Sequence, residues 1–263
     1  MSEQEFDLLI GKAAELIVSS KKIVVFTGAG VSTESGIPDF RSRDGIWTKY
    51  DPDDFTYQKF LSSPEARKKH WQLLATNFWP GAQPNRAHYA VAELEKLGKL
   101  DCVITQNVDG LHERAGNSPD KVIHLHGTME YARCLRCGKR YPMDEVRRWL
   151  SEGVEDPKCP ECGGLLKPDV IFFGEAMPAQ ETAEAQRRSR ACDLCIVIGS
   201  SLVVYPAALM PRYAVESGAR LIIVNRDPTD LDGAADICLH QAAGEMMSRI
   251  IQRVKEKLGR SGD

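Results

Sequence analysis

The chain has 263 residues, 43% of them hydrophobic, enough to bury the core of one large domain that carries smaller insertions. Lysine and arginine number 34 against 37 aspartates and glutamates, a formal charge of −3. No single-sign field is therefore available to gather nucleic acid or an anionic membrane, and neither is an expected partner.

Residues 1–17 lack the basic start and unbroken apolar run of a secretion signal, and no stretch approaches the ~20 apolar residues of a membrane span, so a cytoplasmic protein is expected. Over residues 3–19 the apolar side chains Phe6, Leu9, Ile10, Ala13, Ala14, Leu16 and Ile17 predict an opening helix with one buried face. Ile23-Val24-Val25-Phe26-Thr27 is a short β-branched run ending at Gly28, which fits a fully buried strand of a parallel sheet. It leads into Gly28-Ala29-Gly30-Val31-Ser32-Thr33-Glu34-Ser35-Gly36. Glycines just after a buried strand let backbone N–H groups approach a pyrophosphate at the start of the next helix. The same glycines also fit a plain tight turn. The third glycine arrives late, at Gly36, and no acidic residue follows at the usual ribose-binding distance, which argues against an ordinary dehydrogenase.

Residues 47–83, rich in aromatics and charges, interrupt the pattern as a helical insertion. A helix is predicted over 86–97, then strands at Cys102-Val103-Ile104-Thr105 and Val122-Ile123-His124-Leu125, the second running into His126-Gly127. His-x-His-Gly at a strand end is by itself more often structural than catalytic. Residues 129–167 form a second insertion, holding Cys134-x-x-Cys137 and Cys159-x-x-Cys162. Two such knuckles, each followed by glycine, converge four thiolates on a tetrahedral zinc with no open position, a structural site. Helices over 179–190 and 206–217 flank strands at Cys195-Ile196-Val197-Ile198 and Leu221-Ile222-Ile223-Val224. The remaining cysteines, Cys102, Cys192, Cys195 and Cys238, lie in or beside apolar runs and read as packed thiols. A reducing compartment suits all eight.

The alternation predicts an α/β fold, a doubly wound, mostly parallel Rossmann-like sheet with a small zinc-ribbon lobe and a helical insertion. Residues 1–46, 84–128 and 168–258 are expected to form the Rossmann-like domain, and 47–83 with 129–167 the smaller lobe. Residues 259–263 read as a frayed tail.

Seven ordered blocks resemble the sirtuins, the NAD-dependent protein deacylases, along nearly the whole chain: Gly28-Ala29-Gly30-x-Ser32 with Ser35-Gly36-Ile37-Pro38-Asp39-Phe40-Arg41; Gly45-Ile46-Trp47; Pro84-Asn85-x-x-His88; Thr105-Gln106-Asn107-Val108-Asp109-Gly110-Leu111-His112 with His124-Leu125-His126-Gly127; Phe173-Gly174-Glu175; Gly199-Ser200-Ser201-Leu202; and Val224-Asn225. The resemblance implies NAD as co-substrate, one structural Zn2+, and acylated-lysine proteins or peptides as partners. It implies Gly28, Ala29, Gly30, Thr33, Asp39, Phe40 and Arg41 around the NAD phosphates and nicotinamide ribose. Gln106, Asn107, Val108 and Asp109 would form the ribose and nicotinamide pocket, with Asp109 on the carboxamide. Gly199, Ser200 and Ser201 would meet the phosphates and adenine ribose, and Asn225, Arg226 and Ala243 the adenine end.

In the family's chemistry the acyl oxygen attacks the ribose carbon that carries nicotinamide, and a histidine then helps a ribose hydroxyl attack the resulting imidate. The resemblance makes His126 that base, alongside Asn107 and Asp109, and imidazole suits the task because it accepts a proton near its ordinary pKa of about 6.5. Val170, Phe172, Phe173, Gly174, Glu175, Val203 and Val204 would line the peptide cleft, where a substrate adds as an extra strand. Members that prefer acidic acyl groups carry a tyrosine and an arginine three residues apart in the helical insertion. Here no tyrosine lies between Tyr57 and Tyr89, and an ungapped count puts Gln72 and Ala75 at those places, which favours acetyl or longer apolar groups. The aromatic run 71–79 fits either a roomier acyl pocket or core packing.

Val31, Ser200 and Arg226 depart from the common family residues without removing a group the chemistry needs. Two other functions fit parts of the sequence. A protein ADP-ribosyltransferase would use the same NAD pocket, and a zinc-ribbon binding module would use the α/β part as scaffold. The second is weakened because Arg133, Arg136, Lys139, Arg140, Arg147 and Arg148 are nearly offset by Asp144, Glu145, Glu152, Glu155 and Asp156. The sequence leaves oligomeric state open.

Overall fold

A computed structural model describes residues 3–77 and 81–259. In chain order it contains α1 (Glu3–Ser19), β1 (Ile23–Thr27), α2 (Tyr57–Ser62), α3 (Pro64–Asn77), α4 (Arg86–Lys96), β2 (Leu100–Thr105), α5 (Leu111–Arg114), β3 (Val122–His124), β4 (Gly127–Cys134), β5 (Arg140–Pro142), α6 (Met143–Ser151), β6 (Leu166–Val170), α7 (Ala179–Ala191), β7 (Leu194–Ile198), α8 (Leu209–Glu216), β8 (Arg220–Val224), β9 (Ile237–Leu239) and α9 (Ala243–Lys257).

Six of the strands make one parallel sheet in the order β3-β2-β1-β7-β8-β9. Strand residues alternate between two cores, as a period of two requires. Ile23, Val25, Val103, Ile196 and Ile222 pack against α1, α4 and α9, while Val24, Phe26, Ile104, Val197 and Ile223 pack against α7 and α8. The result is a three-layer α/β/α arrangement. Since β1 pairs with β2 on one side and β7 on the other, the strand order reverses between β1 and β7. That reversal opens a crevice at the carboxyl ends of those two strands, where ligands of such sheets bind.

The second sheet is antiparallel, in the order β5-β4-β6, and its ladder runs from Gly127 opposite Val170 to Cys134 opposite Leu166. A third core joins this sheet to α2 and α3 through Phe60, Trp71, Leu74, Tyr141, Val146, Leu166 and Phe172. Both insertions contribute to that one core. Trp71 is fully buried within it, so that part of the aromatic run is core packing, while Phe78 and Trp79 lie outside the described residues, as do residues 260–263 of the expected tail. Among the described residues no helix is long and apolar enough to cross a membrane.

Candidate active site

The crevice widens into a cleft of about 1220 Å³ bounded by the large sheet on one side and the smaller sheet with α3 on the other. Its floor is made by two backbone loops pressed together. Gly30 N–H donates to Gly199 O at 2.8 Å, and a Cβ at Gly28 or Gly30 would stand 2.8 Å from Gly199 backbone atoms. Gly199 has φ +60°, and a Cβ there would collide with Val31 N. The glycines are thus required for loop contact as well as for turning. The segment after Gly28 is a 3-10 turn, Ala29–Ser35, in place of the expected helix, because Gly36 at φ +84° ends it after two turns.

Gln106, Asn107, Val108 and Asp109 leave β2 just beyond this floor, held by polar groups from β1 and β2. Thr27 Oγ1 donates to Thr105 Oγ1 at 2.8 Å, and Thr105 Oγ1 also accepts Asn107 N–H at 3.0 Å. With its one proton committed, Thr27 Oγ1 accepts from His112 Nε2 at 3.1 Å. Asn107 Nδ2 donates to Gly28 O and to Ser32 Oγ, and Ser32 donates onward to Asp109 Oδ2 at 2.7 Å. Leu111 N–H fixes the other Asp109 oxygen at 3.0 Å. His88 accepts Asn85 N–H at Nδ1, which places its proton on Nε2, 3.5 Å from Ser32 Oγ. Burial lowers His88 to about 4 despite the nearby Asp109 carboxylate, so it is neutral. These hydrogen bonds fix the Asn107 and Asp109 side chains in one geometry, while His112 Nδ1 is buried without a partner among the described residues.

His126 follows β3. Its Nδ1 lies 3.1 Å from Gln106 O, and because a carbonyl only accepts, Nδ1 carries the proton and Nε2 keeps its lone pair. Burial holds His126 below the ordinary histidine range, with the Gln106 carbonyl partly opposing, so the imidazole is neutral near pH 7. A neutral imidazole of fixed tautomer lining a cleft is equipped to take a proton.

Most of the expected site residues border this one cleft: Gly28, Ala29, Gly30, Asp39, Phe40, Arg41, Gln106, Asn107, Val108, Asp109, His126, Gly199, Ser200, Ser201 and Asn225, with Val170, Phe172, Phe173, Gly174, Glu175, Val203 and Val204. Thr33, Arg226 and Ala243 do not border it. The Thr33 hydroxyl turns back to Gly30 O, Arg226 is exposed beyond the end of β8, and Ala243 is buried in the core at the start of α9. Asp39 Oδ1 accepts the Arg41 and Ser42 N–H groups in an Asx turn, and Phe40 packs on Trp47, which also touches Phe55 and Phe173.

At the outer lip, Phe173, Val203 and Tyr205 are exposed hydrophobics facing the cleft. Glu175 sits beneath the lip, where its Oε2 accepts Phe172 N–H at 2.9 Å and pairs with the buried Lys167 at 3.1 Å. From α3 the cleft receives His70, Leu73 and Leu74, whereas Gln72 and Ala75 are exposed away from it. Burial lowers His70 to about 4, so α3 offers the cleft no cation.

The four cysteine sulfurs Cys134, Cys137, Cys159 and Cys162 lie within 4.8 Å of one another, and all are free thiols. Cys134 and Cys162 are 3.4 Å apart and Cys137 and Cys159 3.7 Å, near the ~3.8 Å that tetrahedral Zn–S bonds of about 2.3 Å impose. Backbone N–H groups of Arg136 and Cys137 aim at Cys134 Sγ, and a Cβ at Gly164 would stand 2.9 Å from that sulfur. The cluster is compatible with a structural zinc and lies outside the cleft lining.

Sequence reasoning assigned no role to Ser32, Lys167 or Leu202, and read His88 only as structural or as supporting the groups that do the chemistry. Ser32 and His88 stood inside quoted motifs, which was the available signal. Leu202 has φ +58°, an uncommon backbone state for a leucine that no residue type announces.

The sequence profile of the Sir2 family matches residues 28–206. A Thermodesulfovibrio yellowstonii protein named NAD-dependent protein deacetylase is 46% identical over 250 residues, covering 94% of this chain and 96% of its own. An Archaeoglobus fulgidus protein named NAD-dependent protein deacylase 2 is 45% identical over 248 residues, 94% of this chain and 96% of its own. Among solved structures, one described as giving the structural basis for the mechanism and regulation of Sir2 enzymes superposes with a TM-score of 0.86 at 44% identity, covering 95% of this chain and 99% of its own. A Sir2 structure holding a deacetylated peptide and 3'-O-acetyl ADP ribose superposes at 0.83 and 40% identity, covering 98% and 99%. With matches of this length and identity on the fold and cleft described, the chain belongs to the Sir2 family.

Proposed function

We propose that this protein removes acyl groups, foremost acetyl, from lysine side chains at the expense of NAD, yielding nicotinamide and O-acyl-ADP-ribose. The observation that carries it is His126, neutral, with Nδ1 tied to Gln106 O and Nε2 left as a proton acceptor in a cleft that also contains two touching glycine loops. The names of the relatives support the reading, as does the related structure that holds a deacetylated peptide together with 3'-O-acetyl ADP ribose.

NAD supplies the ADP-ribosyl group that receives the acyl chain. Ala29, Ser200 and Ser201 offer backbone N–H and hydroxyl groups to its phosphates and adenine ribose, while Gly28, Gly30 and Gly199, whose N–H groups are bonded within the protein, let the two loops pack closely beneath the cofactor. Asn225 serves the adenine end, and Asp39, Phe40 and Arg41 close over the nicotinamide side. Each Asp109 oxygen accepts one internal hydrogen bond and retains a lone pair for a carboxamide N–H. Asn107 and Gln106 meet the ribose, and Thr33 keeps the loop folded through Gly30 O. His126 Nε2 takes the proton of the attacking hydroxyl. The peptide adds as a strand between Phe173-Gly174 and Val203-Val204, so its specificity rests on main-chain hydrogen bonds.

Within the same proposal, residues 1–46, 84–128 and 168–258 hold NAD, while 47–83 and 129–167 supply the acyl-side wall and the zinc knuckles. The setting is cytoplasmic and reducing, in keeping with eight free cysteines. Leu73 and Leu74, with neutral His70, favour an apolar acyl chain over an acidic one.

The test incubates zinc-loaded protein with NAD and acetyl-, longer apolar acyl- and succinyl-lysine peptides. Deacylation of the apolar series with little succinyl turnover is expected. Transfer of label from NAD onto protein without loss of the acyl group would replace this reading with ADP-ribosyl transfer.

A further inference from the structure

Beyond the deacylase reaction, the geometry points to a second metal site, for a thiophilic divalent cation of the Zn2+ type, built by Asp232, Cys238 and His240 at the edge of the large sheet. β9 is the outermost strand. Ile237 and Leu239 enter the core, so Cys238 and His240, two residues apart, share the other face. Asp232 opens the 3-10 turn Asp232–Ala234 in the crossover from β8. One ligand atom from each of the three side chains lies within 4.8 Å of the others.

Two of the three are already oriented as metal ligands are. His240 Nδ1 lies 2.9 Å from Asn225 O, and since that carbonyl only accepts, Nδ1 holds the proton and Nε2 is directed at Asp232 Oδ2, 3.1 Å away. Asp232 Oδ1 is fixed by Thr229 N at 3.1 Å and Thr229 Oγ1 at 2.7 Å, which leaves Oδ2 for the site. Outer hydrogen bonds of this kind, carbonyl to imidazole and donor to carboxylate, set the tautomer and aim of metal ligands. With Nδ1 committed to Asn225 O, Nε2 and the Asp232 carboxylate face each other at a separation that a bound cation between them would bridge. The half-buried Cys238 sulfur supplies the third donor.

A sulfur, nitrogen and oxygen set selects zinc-like ions over magnesium or calcium. Three protein ligands leave a fourth position open, unlike the closed four-cysteine site. On binding, the metal–sulfur bond replaces the Cys238 S–H bond, and that proton passes to solvent. The competing occupant is a proton on His240 Nε2, which would make the pair a plain ion pair.

Zinc-loaded protein, with one zinc per chain verified by metal analysis, is titrated with Co2+. One additional Co2+ per chain is expected, with a thiolate-to-cobalt charge-transfer absorption and no release of zinc. Cys238→Ser should lose that absorption, and His240→Ala and Asp232→Asn should each weaken Co2+ binding at least about ten-fold. No Co2+ beyond the zinc content of the wild type, zinc released in step with Co2+ uptake, or an undiminished absorption in Cys238→Ser would each overturn the assignment. The wild-type stoichiometry decides the matter even where a variant folds poorly.

Discussion

Glu175→Gln removes one charge from a buried pair while keeping its shape. Lys167 is 4% exposed, its Nζ bonded to Pro168 O, Val170 O and Glu175 Oε2. Burial holds this lysine below its ordinary range, with Glu175 the strongest opposing influence. Without the carboxylate an ammonium stays buried against two carbonyls, and breaking such a pair costs about 3–5 kcal/mol. At about 2–4 °C per kcal/mol for a chain of this size, the midpoint should fall by roughly 6–20 °C. Lys167→Met should also destabilise, because Glu175 is left partly buried without a counter-charge. The double variant, which removes both charges, should be less destabilised than the sum of the two, by about 1–3 kcal/mol. Equilibrium urea unfolding of the four zinc-loaded proteins measures this. Additivity within about 0.5 kcal/mol would refute the reasoning.

Since His126 acts neutral and burial lowers its pKa, kcat/KM should be flat near pH 7 and decline with acid through a midpoint below 6.5; a midpoint above 6.5 would contradict this. Gly199→Ala places a Cβ against Val31 in a left-handed residue, a backbone state costing about 1–2 kcal/mol for alanine, and calorimetry should find NAD affinity reduced at least about ten-fold. Gly233→Ala, with open space and no positive φ, should leave that affinity unchanged. Zinc removal by a strong chelator should strip hydrogen-exchange protection from β4, β5 and β6 while β1 and β7 stay protected, because the small sheet shares its core with the cysteine knuckles and the large sheet does not. Uniform protection before and after chelation would show that the metal does not hold that sheet.

The parts of the fold legible in the sequence were those with a strong period. β1 and β7 are buried throughout and, with the apolar parts of β2, β3 and β8, read as short apolar runs, and α1 and α4 carry one apolar stripe each, whereas α7 turns only Ala185 and Ser189 inward. β9 is only three residues long, and β4, β5 and β6 lie in a polar segment whose pairing is set by the knuckles and by α3, so local pattern is silent on them. The helix predicted over 206–217 begins only at Leu209, because the segment before it turns along the cleft lip. The cleft residues were legible as ordered motifs, yet Ser32, which joins Asn107 to Asp109, depends on a contact across 75 residues that spacing does not display. Glu175 belongs to a quoted motif, but its carboxylate is turned to Lys167, a residue placed at the rim of the zinc segment by sequence.

The most direct test of the central claim is to count, in one reaction with NAD and an acetyl-lysine peptide, the nicotinamide released and the lysine freed, for the wild type and for His126→Ala with NAD binding verified. The account predicts equal amounts of both products from the wild type and a loss of about 100- to 10,000-fold in the variant. Nicotinamide in excess of freed lysine, or a variant that deacylates at the wild-type rate, would contradict it.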